Sequence, residues 1–359
     1  MTAPEPESAH AAPETTGVVR LNPLEDPSWD LKVGAFPDAT AFHSAGWCRA
    51  LHETYGYNPC FLATPQAGGF GSVLPLMDVS SWLTGKRGVS LPFTDFCDPL
   101  CQPGQDARPL VETAIQIAKE KSWRHVEFRT ASGIPASAPV AERHFIHQLD
   151  LTRGEDALWS GLDGATRRSI RKAKDEGVTV STGHDEAAMR EFFRLHCLTR
   201  KRHGVPPQPY AFFSNIRRHL AEKGTATIML ASHQGRTIAA SVFMHFGRTV
   251  IFKFGASDLA FQHLRANHLI MWEAIRQHAA DGMQRLHMGR SEQDNPGLRR
   301  YKLAWGTTES ELAYHRHSPA LGDFISGRKS QRDWQVAGFR LLPVPVIKII
   351  GSLVYPHIA

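Results

Sequence analysis

Three runs rich in β-branched and apolar residues, 225–232, 237–246 and 249–257, follow one another with almost nothing between them. His233-Gln234-Gly235-Arg236 joins the first two and Gly247-Arg248 the last two. Connections this short reverse the chain, so the three runs pair as an antiparallel meander. A helix-period stretch follows at once over 266–281, with Leu269, Ile270, Trp272, Ala274 and Ile275 on or near its buried side and Gly282 past its end. A short apolar strand (285–288), a helix (298–304) and a last strand (309–315) complete this half. Upstream, apolar spacing through Leu158, Leu162, Ile170 and Ala173 marks a helix that Gly177 stops, and 178–181 reads as a strand. Asp185 caps a helix carrying Met189, Phe192, Phe193 and Leu195, and Pro206-Pro207 parts it from a further helix over 210–222. Helix, strand, two helices, three strands, helix, strand, helix, strand is an α/β (α+β) order built on one mixed, largely antiparallel sheet flanked by helices.

At 359 residues the chain is about twice a typical domain, so two cores are expected. The first half shows a shorter version of the same alternation. Ser44 caps a helix to Tyr55, 60–63 and 72–77 pair around a Gly-rich turn, 105–121 is a helix leading into a strand over 125–129, and 144–151 is extended. This suggests a structural duplication without a sequence repeat. Residues 1–16, rich in Ala, Pro, Glu and Thr, read as a disordered tail; 17–150 and 151–318 are the two domains; 319–359 is a helical segment docking on the body, on the first domain.

A net charge of +6 favours anionic partners such as nucleotides, tRNA, phosphorylated lipids or an acidic membrane face, and does not choose among them. Basic residues gather at Arg167, Arg168, Arg171 and Lys172, a like-charged helical ridge, and again at Arg200-Lys201-Arg202. The five cysteines are an odd number with no secretory signal ahead of them, which points to reduced thiols and a cytoplasmic protein. Cys97 and Cys101 have no second ligand pair and the histidines show no metal spacing, so no metal is expected. The apolar stretch 341–355 contains Pro343, Pro345 and Lys348 and is shorter than the roughly 20 residues a spanning helix needs. It either docks on the body, the preferred reading, or makes peripheral contact with the inner face of a membrane.

The densest candidate site is 289–306, which reads G-R-S-x3-N-x-G-L-x2-Y-K-x2-W-G directly after a strand end. A loop at the carboxyl end of a strand that holds Arg290, Ser291, Glu292 and Asn295, with Lys302 on the next turn, gathers donors for an anionic group or an amide. The plainer alternative makes Asn295-Pro296-Gly297 an ordinary turn and Lys302 a solvated helix residue.

These stretches in their order, together with Phe42-His43-Ser44 and Trp47, Tyr55-Gly56, Leu74-Pro75-Leu76, Ser90-Leu91-Pro92-Phe93 with Asp95, residues 168–172 and Thr199-x2-Arg202-x-Gly204, resemble the FemABX-like acyltransferases of the GNAT superfamily. Gly204-Val205-Pro206-Pro207 is similar to the members associated with bacterial polysaccharide and exosortase systems. The resemblance implies two tandem GNAT-like domains and transfer of an aminoacyl or acyl group to an amino group of a cell-envelope precursor, peptidoglycan or polysaccharide. It implies no tightly bound cofactor, no DNA, and as co-substrate donor either aminoacyl-tRNA or acyl-CoA. By the same resemblance Tyr301-Lys302 contacts the phosphates at a tRNA acceptor end, with Tyr in place of the usual Phe, and Arg202 helps hold a phosphorylated acceptor, while Arg168 on the basic ridge is a further substrate-binding candidate. Arg49 stands near Trp47 where relatives commonly have Lys.

At the place of the family's coenzyme A pyrophosphate turn the chain has Gln262-His263-Leu264-Arg265-Ala266-Asn267. Arg265 replaces the central Gly and hinders close backbone approach, so coenzyme A is either held by side chains such as Gln262, His263 and Arg265 or not bound, which points toward a nonstandard donor. Asp95 and Glu292 are the candidates for orienting or deprotonating the attacking amine, with substrate-assisted proton transfer as the third route. Two alternatives stay open: an acyl-CoA-dependent N-acetyltransferase for an amino sugar of surface polysaccharide, and a catalytically silent assembly factor that binds tRNA or lipid.

Overall fold

A computed structural model describes residues 17–327 and 339–358; the tail expected at 1–16 lies outside the described residues. The strands are β1 (Val19–Leu21), β2 (Asn58–Pro59), β3 (Phe61–Gln66), β4 (Gly69–Leu74), β5 (Met77–Ser81), β6 (Gly85–Val89), β7 (Leu100–Cys101), β8 (Val126–Phe128) and β9 (Glu142–Asp150) in the first half. The second half contributes β10 (Thr179–Gly183), β11 (Ala226–His233), β12 (Arg236–Phe246), β13 (Thr249–Ser257), β14 (Arg285–Glu292), β15 (Thr308–Ser318) and β16 (Asp323–Ile325). Helices are α1 (Trp29–Gly34), α2 (Ala45–Tyr55), α3 (Arg108–Glu120), α4 (Glu155–Ser160), α5 (Gly164–Asp175), α6 (Glu186–Arg202), α7 (Tyr210–Ile216), α8 (Ala266–Ala280), α9 (Pro296–Leu303) and α10 (Val344–Val354).

The expected meander is present: β11, β12 and β13 pair antiparallel in sequence, and α8 returns the chain so that β14 lies parallel to β13. Ser44 and Asp185 cap α2 and α6 through Trp47 N and Ala188 N. The helix expected through Leu158 and Ala173 is instead two, because Asp163 accepts from Ala165 N and starts α5 after a break at Gly161. The larger sheet runs β10-β11-β12-β13-β14-β9-β15-β8-β6-β5-β2, with β16 on β15. Strand β9 lies between β14 and β15, so the ladder passes without interruption from one half to the other. A smaller sheet, β1-β3-β4-β7, belongs to the first half.

Burial follows that arrangement. One core joins the halves, with Phe42, Trp47 and Phe61 against Phe192, Phe212, Phe213 and Ile251, while separate cores lie under α8 and under α3. Each fully buried Phe contributes about 2 kcal/mol relative to exposure, so burial of these rings helps hold the two halves together.

Candidate functional site

Parallel pairing of β13 with β14 lasts three residue pairs, Thr249↔Arg285, Val250↔Leu286 and Ile251↔His287, and then the strands part. Both carry an extra residue just beyond that point. On β13 the register with β12 slips so that Val242 faces Phe254 and Phe243 faces Phe252, leaving Lys253 as the bulged residue. On β14 the register with β9 slips between His287 and Arg290, where Gly289 has φ 68°. A left-handed residue in a bulge is a position for glycine, and a bulge redirects neighbouring groups out of the ladder.

Two consequences meet in the gap. Lys253 Nζ, nearly inaccessible to solvent, pairs with Asp95 Oδ2 at 3.0 Å and sits 5.3 Å from the centroid of the Phe42 ring. The carbonyls of Gly289 and Arg290 accept from Lys302 Nζ, both at 2.8 Å. Tyr314 on β15 donates its hydroxyl hydrogen to the Asp95 carbonyl and accepts from Arg290 Nη1 at 3.0 Å. Three cations and one carboxylate therefore share a buried gap. Burial would raise the Asp95 carboxyl, but Lys253, Arg290 and Lys302 bring it below the usual carboxylate range. Burial also lowers Lys302 to about 8, opposed by Asp95 and assisted by the neighbouring cations Arg290 and Lys253.

At the rim, Glu292 lies 2.8 Å from His144 Nδ1 and 3.6 Å from Arg290 Nη2, and Glu142 reaches His144 Nε2 at 3.3 Å. Burial works against the charged imidazole, yet the two carboxylates push His144 above its ordinary value. The hydrogen bond from His144 in turn lowers Glu292. This pair can take up or pass on a proton, and Glu292 alone is a weak base.

A second cleft, of ≈ 300 Å³, opens at the amino end of α8 and is lined by Gln262, Arg265, Ala266, Asn267, His268 and Tyr301 among others. Arg265 adopts φ 59° and ψ 25° as the residue before the helix, and no side chain caps it. The arginine thus takes the backbone conformation a glycine would, its side chain stays exposed, and the first N–H groups of a 15-residue helix lead into the cleft. Such a terminus is suited to phosphate.

The structure gathers Asp95, Arg290 and Lys302 in the gap, with Glu292 at its rim, and Gln262, Arg265 and Tyr301 at the cleft. Tyr301 and Lys302 are neighbours on α9 that serve different recesses. Ser291 is buried with its hydroxyl unpartnered among the described residues. Asn295 caps α9, accepting from Leu298 N at 3.0 Å. His263 is exposed outside the cleft lining, Arg168 is exposed on α5, and Arg202 lines another surface depression with Lys201 and Arg340. Sequence reading missed Lys253, Tyr314 and His144. For Lys253 there was a signal, since a lone lysine between Phe252 and Phe254 in an apolar strand requires a buried partner.

Residues 164–303 match the acetyltransferase (GNAT) domain. The UDP-N-acetylmuramoylpentapeptide-lysine N(6)-alanyltransferase of Weissella viridescens is 26% identical over 112 residues, 30% of this chain and 33% of that protein, so the match spans about a third of the relative's length. The crystal structure of FemX superposes with a TM-score of 0.66 at 15% identity, covering 83% of this chain and 97% of that one. Residues 164–303 thus carry a GNAT-type domain, and the chain as a whole has the fold of FemX. A tandem GNAT protein from the clavulanic acid biosynthesis pathway shares the fold of this chain, with a TM-score of 0.51 at 13% identity over 84% of this chain and 98% of that one. The expected tandem GNAT-like α/β architecture is the one observed.

Proposed function

We propose that this protein is an N-acyltransferase that moves an aminoacyl or acyl group from an activated donor to an amino group of a cell-envelope precursor, peptidoglycan or polysaccharide. The observation that carries the reading is the buried gap between β13 and β14, where Lys253, Arg290 and Lys302 surround Asp95. Attack by a neutral amine on an ester or thioester carbon forms a C–N bond and puts negative charge on the carbonyl oxygen; cations fixed in a water-poor gap meet that charge as it develops. Collapse breaks the C–O or C–S bond, and the amine proton leaves with the departing oxygen or sulfur. Asp95, held ionised by three cations, orients an ammonium better than it removes a proton. The His144–Glu292 pair is the rim group suited to carry a proton away. The relative named above is an alanyltransferase for a lysine of a UDP-linked muramoylpentapeptide, which supports an aminoacyl donor and an envelope acceptor.

One observation leaves room for acyl-CoA as the donor. The uncapped end of α8 beside Gln262 and Arg265 fits the phosphates of acyl-CoA as well as those of a tRNA acceptor end. Arg202 is the candidate for acceptor phosphate, Arg168 and Ser291 are further substrate-binding candidates, and Asn295 acts through the cap it gives α9. Purified protein incubated with labelled aminoacyl-tRNA or acyl-CoA and envelope-precursor amines, read by mass spectrometry, tests the reading. An acylated precursor amine is expected with one donor; absence of product with both, over a panel of nucleotide-linked and lipid-linked amines, contradicts it.

A further inference from the structure

The second chain end carries apolar surface that the transferase site does not use. Helix α10 buries Ile347 and Gly351, and Gly351 is required there because a Cβ would stand 2.0 Å from the carbonyl oxygen of Pro207. The following turn buries Tyr355, whose hydroxyl meets Arg200 Nη2 at 2.5 Å. The opposite side of α10 faces solvent with Val346, Ile349 and Leu353, at 40%, 63% and 66% exposure, in one helical stripe. Leu341 and Ile358 extend the apolar surface at either end.

A distant segment joins this stripe. Trp82 and Leu83 form the turn between β5 and β6 and are 85% and 58% exposed, and the Trp82 ring lies edge-on to His357 with centroids 5.3 Å apart. Three hydrogen bonds fasten the chain end to that hairpin. Ser81 Oγ pairs with His357 Nδ1 at 3.0 Å, and Thr84 Oγ1 and Arg87 Nη2 donate to the His357 carbonyl at 2.8 and 3.0 Å. The hairpin tip and the end of α10 are therefore held together as one face rather than left as loose ends.

Charge decides the occupant. The exposed charged residues of 79–87 and 339–358 are Lys86, Arg340 and Lys348, with no acidic residue among them, and Arg340 borders a depression lined by Lys201 and Arg202. The one carboxylate in that depression, Asp258, is paired with Arg236 at 2.9 Å. A bilayer interface takes an exposed Trp with aliphatic neighbours, and an anionic headgroup layer complements a basic surround.

We infer that the β5–β6 turn and α10 form a composite face that seats the protein on the surface of an anionic lipid bilayer. The inference is independent of the transferase reading, since it uses none of the site residues in the gap or cleft. The test is flotation of the full chain with vesicles of equal parts phosphatidylglycerol and phosphatidylcholine, against vesicles of phosphatidylcholine alone. Wild type is expected to float with the anionic vesicles and at least tenfold less with the neutral ones, and to be released by high salt. Trp82→Ala and the double variant Ile349→Glu/Leu353→Glu are each expected to lose at least tenfold in binding with unchanged circular dichroism, while Leu31→Ser, exposed on α1, binds as wild type. Absence of wild-type flotation, undiminished binding by the double variant, or concentration-dependent dimerisation that the double variant abolishes without any vesicle binding would each overturn it. Loss of vesicle binding with transfer activity intact in solution separates this inference from the function proposed above.

Discussion

The gap between β13 and β14 and the cleft at the end of α8 are both suited to negative charge, but they are built differently. In the gap the charges are side chains: Lys253 and Lys302 are desolvated and held by Asp95 and by two strand carbonyls. In the cleft the attraction comes from backbone N–H groups at a helix end, with Arg265 lending its conformation more than its charge. A desolvated side-chain cluster responds strongly to removal of one member, because each group left behind is buried without its partner. A helix terminus survives replacement of any one side chain. In the function proposed above, the gap carries the chemistry and the cleft grips the donor, and Tyr301 and Lys302 stand at adjacent positions on α9 between them.

The largest separation of the two regions is expected from Lys302→Met. Transfer falls about 10²–10³-fold, the scale seen when one donor to a developing oxyanion is removed, while the donor KM changes little. Equal loss in KM and kcat would move Lys302 to the binding side of the comparison. Next in size is Asp95→Ala, which strands Lys253 and lowers stability by about 3 kcal/mol in denaturant titration. Adding Lys253→Met to Asp95→Ala restores most of that stability without restoring transfer. A double variant no more stable than Asp95→Ala shows that the pair is not the source of the loss.

The pH dependence gives a smaller and sharper test. Lys302 is a cation below about 8 and neutral above it, so kcat/KM should fall as pH rises through about 8, with that limb missing in Lys302→Met. The sign for stability is the reverse. Between about pH 8 and the ordinary Lys value near 10.4, the unfolded chain binds the proton that folded Lys302 has lost, so this group makes the fold more stable as pH rises. Arg265→Gly is the smallest: relief of a left-handed residue stabilises by about 1 kcal/mol, and the donor KM rises no more than about threefold because the helix end remains. A tenfold rise in KM would give the cleft a side-chain character like that of the gap.

The meander and α8 were legible because they rest on local signals, β-branched runs separated by turns too short for anything but reversal. The Lys302 segment was legible as a cluster of donors beside a strand end. What could not be read was the gap itself. The bulges at Lys253 and Gly289 follow from pairing with β12 and with β9, and β9 comes from the other half of the chain, more than a hundred residues away in sequence. The hairpin of β5 and β6 was missed because Pro75 precedes it and Gly85 and Gly88 break its apolar pattern. Helix α4 merged with α5 in the sequence because apolar spacing continues across Gly161, and only the Asp163 cap marks the restart.

The central claim, that the buried cations of the gap stabilise an acyl-transfer transition state, is tested most directly by single-turnover transfer from a labelled donor to an envelope-precursor amine, comparing wild type with Lys302→Met at saturating donor. The account predicts product with wild type and a rate at least a hundredfold lower with the variant. Equal rates for the two proteins would contradict it.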